Sequence, residues 1–274
     1  MLEKIKYINH RGEVLNFGTK DLFVNENDLR DFAWDFTSKN NRISSFKKGI
    51  VKKKLPVILK AKTEEEGYRL RDKLFEVFEK DVLAEKHGTI IIGDYYLKCF
   101  VTASAKTEYL IAKSYMKTNL VVTTDFPYWI KETTTVFNPK TAHSEGTNLD
   151  YNRDFPSDYT TNLLRITLDN TGFMPCKFIM NIYGPCANPS ITIAGHEYAV
   201  NIELSASEYL TIDSVEKTII QTKSNGSQVN CYNLRKRSSY IFEQMPVGIS
   251  NISTNGNFIF DITLLEERSE PKWQ

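Results

Sequence analysis

Hydrophobic and polar residues alternate with a period of two over much of the second half of the chain. This is the pattern of antiparallel β-strands that bury one face and expose the other. Asn225-Gly226 and Asn255-Gly256 favour hairpin turns between such runs. Many short strands with regular turn signals predict a β-sandwich in the C-terminal half. The apolar positions of three alternating runs are Leu164, Ile166 and Leu168; Tyr198, Val200, Ile202 and Leu204; and Phe258, Phe260, Ile262 and Leu264.

The N-terminal half contains two predicted hairpins. The first joins strand-like residues 5–9 and 13–17, and the second joins residues 89–92 and 95–100 across Gly93-Asp94. Glycine as the first residue of a two-residue turn is typical of such hairpins. The pattern therefore predicts a β-rich first half as well.

One helix is predicted, over residues of about 64–87. Thr63 followed by Glu66 forms a capping box, and three consecutive acids suit the positive end of the helix dipole. Gly88 is expected to adopt the left-handed conformation that ends the helix. The residues expected to form one buried stripe are Leu70, Leu74, Phe75, Phe78 and Val82.

A basic stretch without acidic residues covers positions 39–54 and reads KNNRISSFKKGIVKKK. Strand-like segments precede and follow it, so we expect a projecting arm over residues of about 38–55. Three interpretations are open: a solvated loop, a nucleic-acid contact, or an arm that docks on a neighbouring protein surface. Its apolar residues favour docking, because a solvated loop does not need them. The candidate interface residues are Ile43, Phe46, Lys47, Lys48, Ile50, Val51, Lys52, Lys53 and Lys54.

The 274 residues suggest two domains. A strand ends near Phe126 and a new one opens at Trp129, which places the predicted domains at 1–128 and 129–274. Residues 1–135 carry a net charge of +5 and the remainder −4, in agreement with two domains in different surroundings. The Asn- and Ser-rich segment Phe137–Tyr159 is predicted to be a long loop.

Composition narrows the functional classes. A net charge of +1 and a pI near 7.6 argue against a nucleic-acid binder driven by bulk charge. A mean hydropathy of −0.38 and short apolar runs predict no membrane-spanning segment, and no secretory signal is recognised. Cys99, Cys176, Cys186 and Cys231 form no C-x-x-C pair, so we expect reduced cysteines and folding in a cytoplasm.

No motif predicts an enzyme, a metal site or a cofactor. The four histidines are far apart, and nucleophile-elbow, phosphate-loop and dinucleotide motifs are missing from the sequence. Four carboxylates near turns are available as catalytic pairs, although turn chemistry explains them equally well. The histidines are His10, His87, His143 and His196, and the carboxylates are Asp154, Asp158, Asp213 and Glu216.

The order of these features resembles the distal tail protein family of long-tailed, siphovirus-type phages and of phage-like bacteriocin particles. The resemblance covers essentially the whole chain and depends on the order and spacing of individually weak motifs. They are, in order, INHRGEVLNFG, TEEEGYRLRDKLFEVF, GTIIIGDYYLKCFV, DFPYW, LDNTG, YGPCANPSITIAG, SEYLTIDS and LLEERSEPKW.

The resemblance implies a mainly β protein with two domains. The first is a split-barrel-like β domain with one α-helix, and the second is a galectin-like β-sandwich. It further implies a structural protein of the virion tail tip, assembled in the bacterial host cytoplasm. Six copies would form a ring, an arm of each would embrace its neighbour, and DNA would pass through the lumen without specific binding.

The implied partners are the tail tube protein, the baseplate hub or tail fibre protein, and peripheral receptor-binding proteins. The alternative function is a carbohydrate-binding sandwich module for adhesion to the host cell wall. Sugar binding needs exposed aromatic platforms, and the candidates Tyr128, Trp129 and Trp273 lie at the predicted domain junction or the C-terminus. A mass measurement in solution and a glycan-binding assay distinguish the two functions.

Overall fold

A computed structural model of the chain describes residues 3–110, 112–138 and 167–273. The fold is mainly antiparallel β-structure with one α-helix, as predicted. It divides into two compact units: unit 1 comprises Met1–Ile130 and Glu267–Gln274, and unit 2 comprises Lys131–Glu266. The chain thus leaves unit 1 once and returns to it at the C-terminus.

The elements between Ile5 and Phe137 are ten strands and the helix. They are β1 Ile5–Ile8, β2 Val14–Phe17, β3 Leu22–Phe23, β4 Asp35–Lys39, β5 Arg42–Lys47, β6 Val51–Lys60, α1 Glu64–Leu83, β7 Gly88–Ile92, β8 Tyr95–Thr107, β9 Tyr115–Thr124 and β10 Trp129–Phe137.

Unit 1 is built from two sheets that share the long strand β8. Its first half pairs with β7, which continues to β1 and β2, and its second half pairs with β9, which continues to β6 and β3. A register shift between Val101 and Ala103 separates the two halves, as expected where a strand bends from one sheet into another. The result is the split-barrel-like arrangement that the resemblance implies, and both predicted hairpins are confirmed.

The core of unit 1 lies between these sheets and α1. Inward-facing residues of β1, β2, β6, β7, β8 and β9 pack with Leu74, Val77 and Phe78 of the helix. The ring of Tyr7 meets that of Phe78 edge-on, with centroids 4.8 Å apart. The inward-facing side chains of the strands and the buried stripe of the helix thus form a single apolar core.

The start of α1 is as predicted, but its end and its buried face are not. Thr63 Oγ1 accepts from the Glu66 amide at 3.2 Å, which is the N-terminal half of a capping box. The helix ends at Leu83, and Glu85, with φ 52°, adopts the left-handed conformation expected of Gly88. Gly88 instead opens β7, packed so closely on Tyr7 that a Cβ would clash.

The helix face that meets the core is rotated from the predicted stripe. Leu74 and Phe78 are buried and Leu70 packs on the core, but Phe75 is 58% exposed and Val82 41% exposed. Gly67, Val77 and Asp81 are buried in addition. The prediction for Phe75 and Val82 was wrong because a small residue and a carboxylate, rather than large apolar residues, complete the buried stripe.

The described elements after residue 166 are eleven strands and one short 3-10 helix, Tyr232–Leu234. The strands are β11 Thr167–Asn170, β12 Lys177–Tyr183, β13 Cys186–Ala187, β14 Ser190–Ile193, β15 His196–Ala199, β16 Glu203–Leu204, β17 Tyr209–Asp213, β18 Thr218–Thr222, β19 Gln228–Asn230, β20 Gly248–Thr254 and β21 Phe260–Arg268.

Unit 2 is a β-sandwich, as the alternation predicts. One sheet has the strand order β19-β18-β17-β12-β21-β10, and a second has the order β11-β20-β14-β15. Their inner faces pack together, with the rings of Phe178 and Tyr198 meeting edge-on at 5.4 Å. The apolar positions predicted at residues 198–204 and 258–264 are buried.

One of the two predicted Asn-Gly hairpins is confirmed and the other is wrong. Gly226, with φ 80°, lies in the turn that joins β18 to β19. Asn255-Gly256 instead connects β20 to β21, which belong to different sheets. Asn255 holds this crossover by accepting from the Ser190 amide at 2.9 Å and donating to the Asn188 carbonyl at 2.9 Å.

The C-terminal residues belong to unit 1, whereas the predicted domain 129–274 includes them. The guanidinium of Arg30 donates to the Pro271 carbonyl at 2.7 Å and stacks on the ring of Trp273 at 4.1 Å. These contacts, together with the hydrogen bond from the Lys48 ammonium to Ser269 Oγ, hold the C-terminal segment in unit 1. The position of the first boundary, after Ile130, is two residues beyond the predicted one.

Several predictions fall on residues outside the described ranges. These are most of the predicted loop Phe137–Tyr159, the strand positions Leu164 and Ile166, and the side chains His143, Asp154 and Asp158. Within the described residues, no helix combines the length and the apolar character needed to cross a bilayer.

Candidate interface site: the basic ribbon

Strands β4 and β5 form a two-stranded ribbon, and among the described strands they pair only with each other. Asn40 and Asn41 make the turn with φ of 51° and 58°, a conformation that asparagine tolerates better than most residues. Every residue of the two strands is exposed. We call residues 32–50 the ribbon, which includes the first part of the segment predicted as a projecting arm, residues of about 38–55.

The ribbon has one apolar and one polar face. Phe36 lies opposite Phe46, and Ser38 opposite Ile43, so that the extra residue Ser44 forms a bulge. The bulge brings Ile43 and Phe46, which are three residues apart, to the same side. Phe36, Ile43 and Phe46 are 60%, 54% and 61% exposed. Exposed apolar patches are typical of interaction sites, so this face of the ribbon is a candidate for one.

The opposite face carries hydroxyl and basic side chains. Thr37 Oγ1 lies 2.8 Å from Ser44 Oγ and 2.6 Å from Ser45 Oγ, which ties the strands together across the bulge. Lys39 pairs with Arg42 at the tip, and Lys47 lies opposite Asp35 near the base. The ribbon tip therefore carries positive charge without an acidic residue.

Lys48 fixes the base of the ribbon to unit 1. Its ammonium donates to Ser269 Oγ at 2.7 Å and to the Pro127 carbonyl at 3.3 Å. It also lies 4.4 Å from the ring centroid of Tyr128 and 4.5 Å from that of Trp34. Burial, and secondarily the charge of Lys53, lowers its pKa from 10.5 to about 8. Lys48 is thus an internal anchor rather than a free interface charge.

The last four predicted interface residues are not part of the ribbon. Val51, Lys52, Lys53 and Lys54 lie in β6, whose whole length pairs with β9. The arm predicted to extend to residue 55 therefore ends before Val51. The physical reason is that the backbone of this segment is committed to the sheet of unit 1.

Lys53 is buried within unit 1. Its ammonium donates to the carbonyls of Asp28, at 3.2 Å, and Asp31. Burial lowers its pKa, while the two nearby carboxylates act in the opposite direction. A charge held in this way stabilises the loop before the ribbon and is not available to a partner.

Two sets of exposed residues were missed by the sequence reasoning. Trp34 and Phe36 precede the basic run and supply half of the apolar face of the ribbon. A regular hairpin centred on Asn40-Asn41 would place Phe36 opposite Ser45, so the pairing of Phe36 with Phe46 depends on the bulge at Ser44, which the sequence does not signal. The second set is an apolar stripe on the outer face of α1, formed by Tyr68, Phe75, Val82 and Leu83.

The aromatic residues considered as sugar platforms have other contacts. Trp129 is buried and its indole donates to the Leu29 carbonyl at 3.3 Å. Tyr128 faces the ammonium of Lys48, and Trp273 lies beneath the guanidinium of Arg30. These rings support the unit 1 structure around the ribbon base.

Each described histidine has a local structural partner. His10 Nδ1 contacts Asp81 at 2.5 Å, His87 contacts Asp125 at 3.0 Å, and His196 contacts the Tyr240 carbonyl at 2.9 Å. Among described residues, no group of three or more His, Cys, Asp or Glu is arranged to hold a metal ion.

The turn carboxylate Asp213 and the four cysteines have structural settings. Asp213 caps a turn by accepting from the amides of Val215 and Glu216. The four cysteines are free thiols. Burial raises the pKa of Cys99, which is enclosed in the core of unit 1.

The fold is similar to solved structures of phage tail proteins. One is the Dit protein of phage SPP1, described as a paradigm of the hub adsorption apparatus in phages that infect Gram-positive bacteria. This alignment has a TM-score of 0.61 and 10% sequence identity, and it covers 96% of this chain and 99% of the SPP1 chain. The fold also aligns with a chain of the phage P2 baseplate in its activated conformation with calcium, with a TM-score of 0.63 and 14% identity.

The second alignment covers 99% of this chain and 100% of the baseplate chain, and the strontium form of that baseplate gives the same values. No protein-family model matches the sequence, and no curated protein matches it. At these identities the alignments establish the fold, and the predicted resemblance to distal tail proteins is confirmed at this level.

Proposed function

We propose that this protein is a distal tail protein, a structural component of a phage tail tip or baseplate. The observation that carries the proposal is the similarity of fold over nearly the full length of both chains, in two independent phage tail structures. A similarity confined to one β-sandwich would carry little weight, because sandwiches host many unrelated functions.

In this proposal, six copies form a ring that joins the tail tube to the baseplate hub or tail fibre. The ribbon supports it, because among the described strands β4 and β5 pair only with each other and their apolar side chains are exposed. Ordering such a segment costs about 1–2 kcal/mol per residue of conformational entropy. A neighbouring subunit that covers the ribbon would offset this cost.

DNA would pass through the lumen of the ring without specific binding. Several free lysines per subunit directed at the lumen would retain the genome through counterion release. Two of the predicted basic residues, Lys48 and Lys53, are held by contacts within unit 1. The apolar face of the ribbon is better suited to a protein surface than to phosphates, since phosphates offer nothing for it to bury.

The test combines a solution measurement with particle imaging. Light scattering coupled to size exclusion is expected to reveal a species of six chains at high concentration. Antibody labelling of tails is expected to mark the tip of the tail, and averaged images to display six-fold symmetry there. Labelling elsewhere, or a monomer or trimer at the tip, contradicts the proposal, and binding to cell-wall glycans by the isolated chain would favour the alternative.

A further inference from the structure

We propose that Asn225 is a site of spontaneous deamidation, and that its conversion to isoaspartate releases the edge strand β19 of unit 2. The inference does not depend on the proposed function at a tail tip. It rests on the two Asn-Gly pairs of the chain, Asn225-Gly226 and Asn255-Gly256, which share a dipeptide sequence but differ in their hydrogen bonds.

Deamidation of an asparagine needs only water. The amide nitrogen of the next residue attacks Cγ of the asparagine side chain, and its proton passes through water to Nδ2, which leaves as ammonia. The new N–Cγ bond closes a five-membered succinimide ring. Water then adds to either carbonyl of the ring and opens it to aspartate or to isoaspartate. Glycine in the next position favours the attack, because it has no side chain and its backbone is flexible.

Asn225 lies at an exposed hairpin tip with its side chain oriented by one hydrogen bond. All residues from 223 to 230 are exposed. The Ser227 amide donates to Asn225 Oδ1 at 2.9 Å. This oxygen gains negative charge when Cγ is attacked, and a backbone N–H that points at such an oxygen stabilises the charge. The hydrogen bond therefore activates the carbonyl that has to react.

The attacking nitrogen belongs to a turn that has room to move. Gly226, with φ 80°, has no described atom within 4 Å of the position of a Cβ. Its amide donates to the Lys223 carbonyl at 2.8 Å, and this bond has to open before the attack. Opening costs little free energy at an exposed loop tip. The turn thus permits ring closure.

Asn255 has the same neighbour but is held by its side chain. Its Oδ1 accepts from the Ser190 amide at 2.9 Å, and its Nδ2 donates to the Asn188 carbonyl at 2.9 Å. Its own amide donates to the Ser190 carbonyl at 3.1 Å. Turning the side chain towards the Gly256 nitrogen breaks both side-chain bonds at once. We therefore expect Asn255 to resist the reaction.

Isoaspartate at position 225 changes the length of the hairpin loop. It places one additional methylene in the main chain, whereas aspartate leaves the main chain unchanged. The loop is closed by the Lys223 amide, which donates to the Ser227 carbonyl at 2.9 Å. Loop length sets the register of a hairpin, so the longer loop removes the register of β18 with β19.

The change is confined to β19 because this strand has little else to hold it. Its three residues are all exposed, and among the described strands it pairs only with β18. Beyond it, the Cys231 amide donates to the Ile219 carbonyl at 2.8 Å, and Cys231 is buried. Release therefore ends at Cys231 and leaves the core of the sandwich intact.

The first test measures the two asparagines in the intact chain. After incubation at mildly alkaline pH, peptide mass spectrometry follows the exchange of amide for carboxyl at Asn225 and Asn255. Asn225 is expected to react about tenfold faster or more, because the two extra hydrogen bonds of Asn255 add to its barrier. The matched control is the same chain unfolded in urea, where similar rates at both positions are expected. Equal rates in the folded chain, or a faster reaction at Asn255, overturn the site.

The second test measures the release of β19 by hydrogen exchange. The aged chain is expected to lose protection of the amides of β18 and β19 that face each other and to keep it from Cys231 onward. An Asn225→Gln chain aged in the same way is expected to keep all of it. Asn225→Asp is expected to keep it as well, since the charge alone does not lengthen the loop. Unchanged exchange in chains that carry isoaspartate, or equal loss in Asn225→Asp, overturns the release mechanism, and labelling of tails decides the proposed function separately.

Discussion

Asp81 is the residue on which the N-terminal part of unit 1 converges. It is buried on α1, accepts from the Tyr7 hydroxyl at 2.6 Å and from the His10 amide at 2.9 Å, and contacts the His10 ring. Burial is the largest cause that raises the pKa of Tyr7, and the charge of Cys99 and the hydrogen bond and charge of Asp81 raise it further. The Tyr7 hydroxyl therefore keeps its proton and remains a donor. A buried carboxylate with these partners stabilises one packing of helix on sheet.

Asp81→Ala is expected to lower the free energy of unfolding by about 3 kcal/mol, because it leaves a buried hydroxyl and amide without acceptors. Tyr7→Phe is expected to cost less, about 1–2 kcal/mol, since the carboxylate keeps its other donors. Urea denaturation followed by circular dichroism measures both. Equal costs would indicate that His10 contributes nothing to holding the carboxylate.

Lys48 gives unit 1 a pH dependence whose sign follows from its pKa. The pKa is lowered in the folded chain from 10.5 to about 8. Between these values the unfolded chain binds the proton and the folded chain does not, so the free energy of unfolding rises with pH over this window. The aromatic rings and the hydrogen-bond acceptors favour the charged form of Lys48 over the neutral form. The pKa is nevertheless lowered, which indicates that the cost of removing the ammonium from water is larger than these favourable contacts.

The expected result is that unfolding free energy increases between pH 8 and 10 in the natural chain relative to Lys48→Met. Urea denaturation of both proteins at pH 7.5 and 9.5 measures the difference. Because other lysines and tyrosines are common to both, the comparison isolates Lys48. Parallel pH profiles would contradict the assignment.

At the scale of elements, one feature of α1 is predicted by the sequence and another is not. Its start was predictable, because a capping box acts between residues three apart and Thr63 makes the expected bond. Its buried face was not, because the choice of Asp81 over Phe75 depends on Tyr7 and His10 in a distant strand and turn. Local pattern assigns large apolar residues to the core, whereas in the folded chain Phe75 and Val82 are exposed.

Substitutions in α1 test this assignment. Thr63→Ala is expected to cost about 1 kcal/mol through loss of the cap, and Leu74→Ala about 2–5 kcal/mol through the cavity it leaves. Phe75→Ala is the control on the exposed face and is expected to change stability by less than about 0.5 kcal/mol. Comparable losses at Leu74 and Phe75 in denaturant melts would show that the helix face is assigned incorrectly.

The ribbon was predictable as a projection, but its limits were not. The run of lysines reads as one charged stretch, although Lys47 belongs to β5 and Lys53 to β6. The burial of Lys53 depends on carbonyls of Asp28 and Asp31, which no spacing rule connects to it. Only the folded chain divides the run into exposed and structural charges.

Because the basic run is divided into exposed and structural charges, neutralising a lysine or arginine is expected to have a different effect in each group. A triple variant with Lys39→Gln, Arg42→Gln and Lys47→Gln is expected to weaken ring assembly severalfold. The loss is expected to be larger at low salt, because exposed charges are screened as the salt concentration rises. Monomer folding is expected to be unchanged. Lys53→Gln, in contrast, is expected to lower the unfolding free energy by leaving buried carbonyls without a donor.

Size-exclusion with light scattering at two salt concentrations measures the assembly of these variants. Thermal melts measure their folding. If the triple variant assembled normally but altered the rate of DNA ejection from particles, the ribbon charges would face the lumen rather than a neighbouring chain.

At the scale of the whole molecule, the sequence predicts two β-rich units but not how the chain is shared between them. The first boundary was visible as the end of one strand before Phe126 and the start of another at Trp129. The return of Glu267–Gln274 to unit 1 was not visible, because it depends on contacts of Arg30 and Lys48 with residues more than 200 positions away. Such long-range contacts leave no periodic signal.

This return of the chain has a consequence for the order of synthesis. Ser269, which binds the ammonium of Lys48 at the ribbon base, leaves the ribosome after all of unit 2. Domains generally begin to fold while translation continues, from the N-terminus onward. A nascent chain can therefore fold most of unit 1 and the sandwich while the ribbon base still lacks its last anchors. The ribbon base therefore gains its last contacts only in a chain whose translation has passed both units.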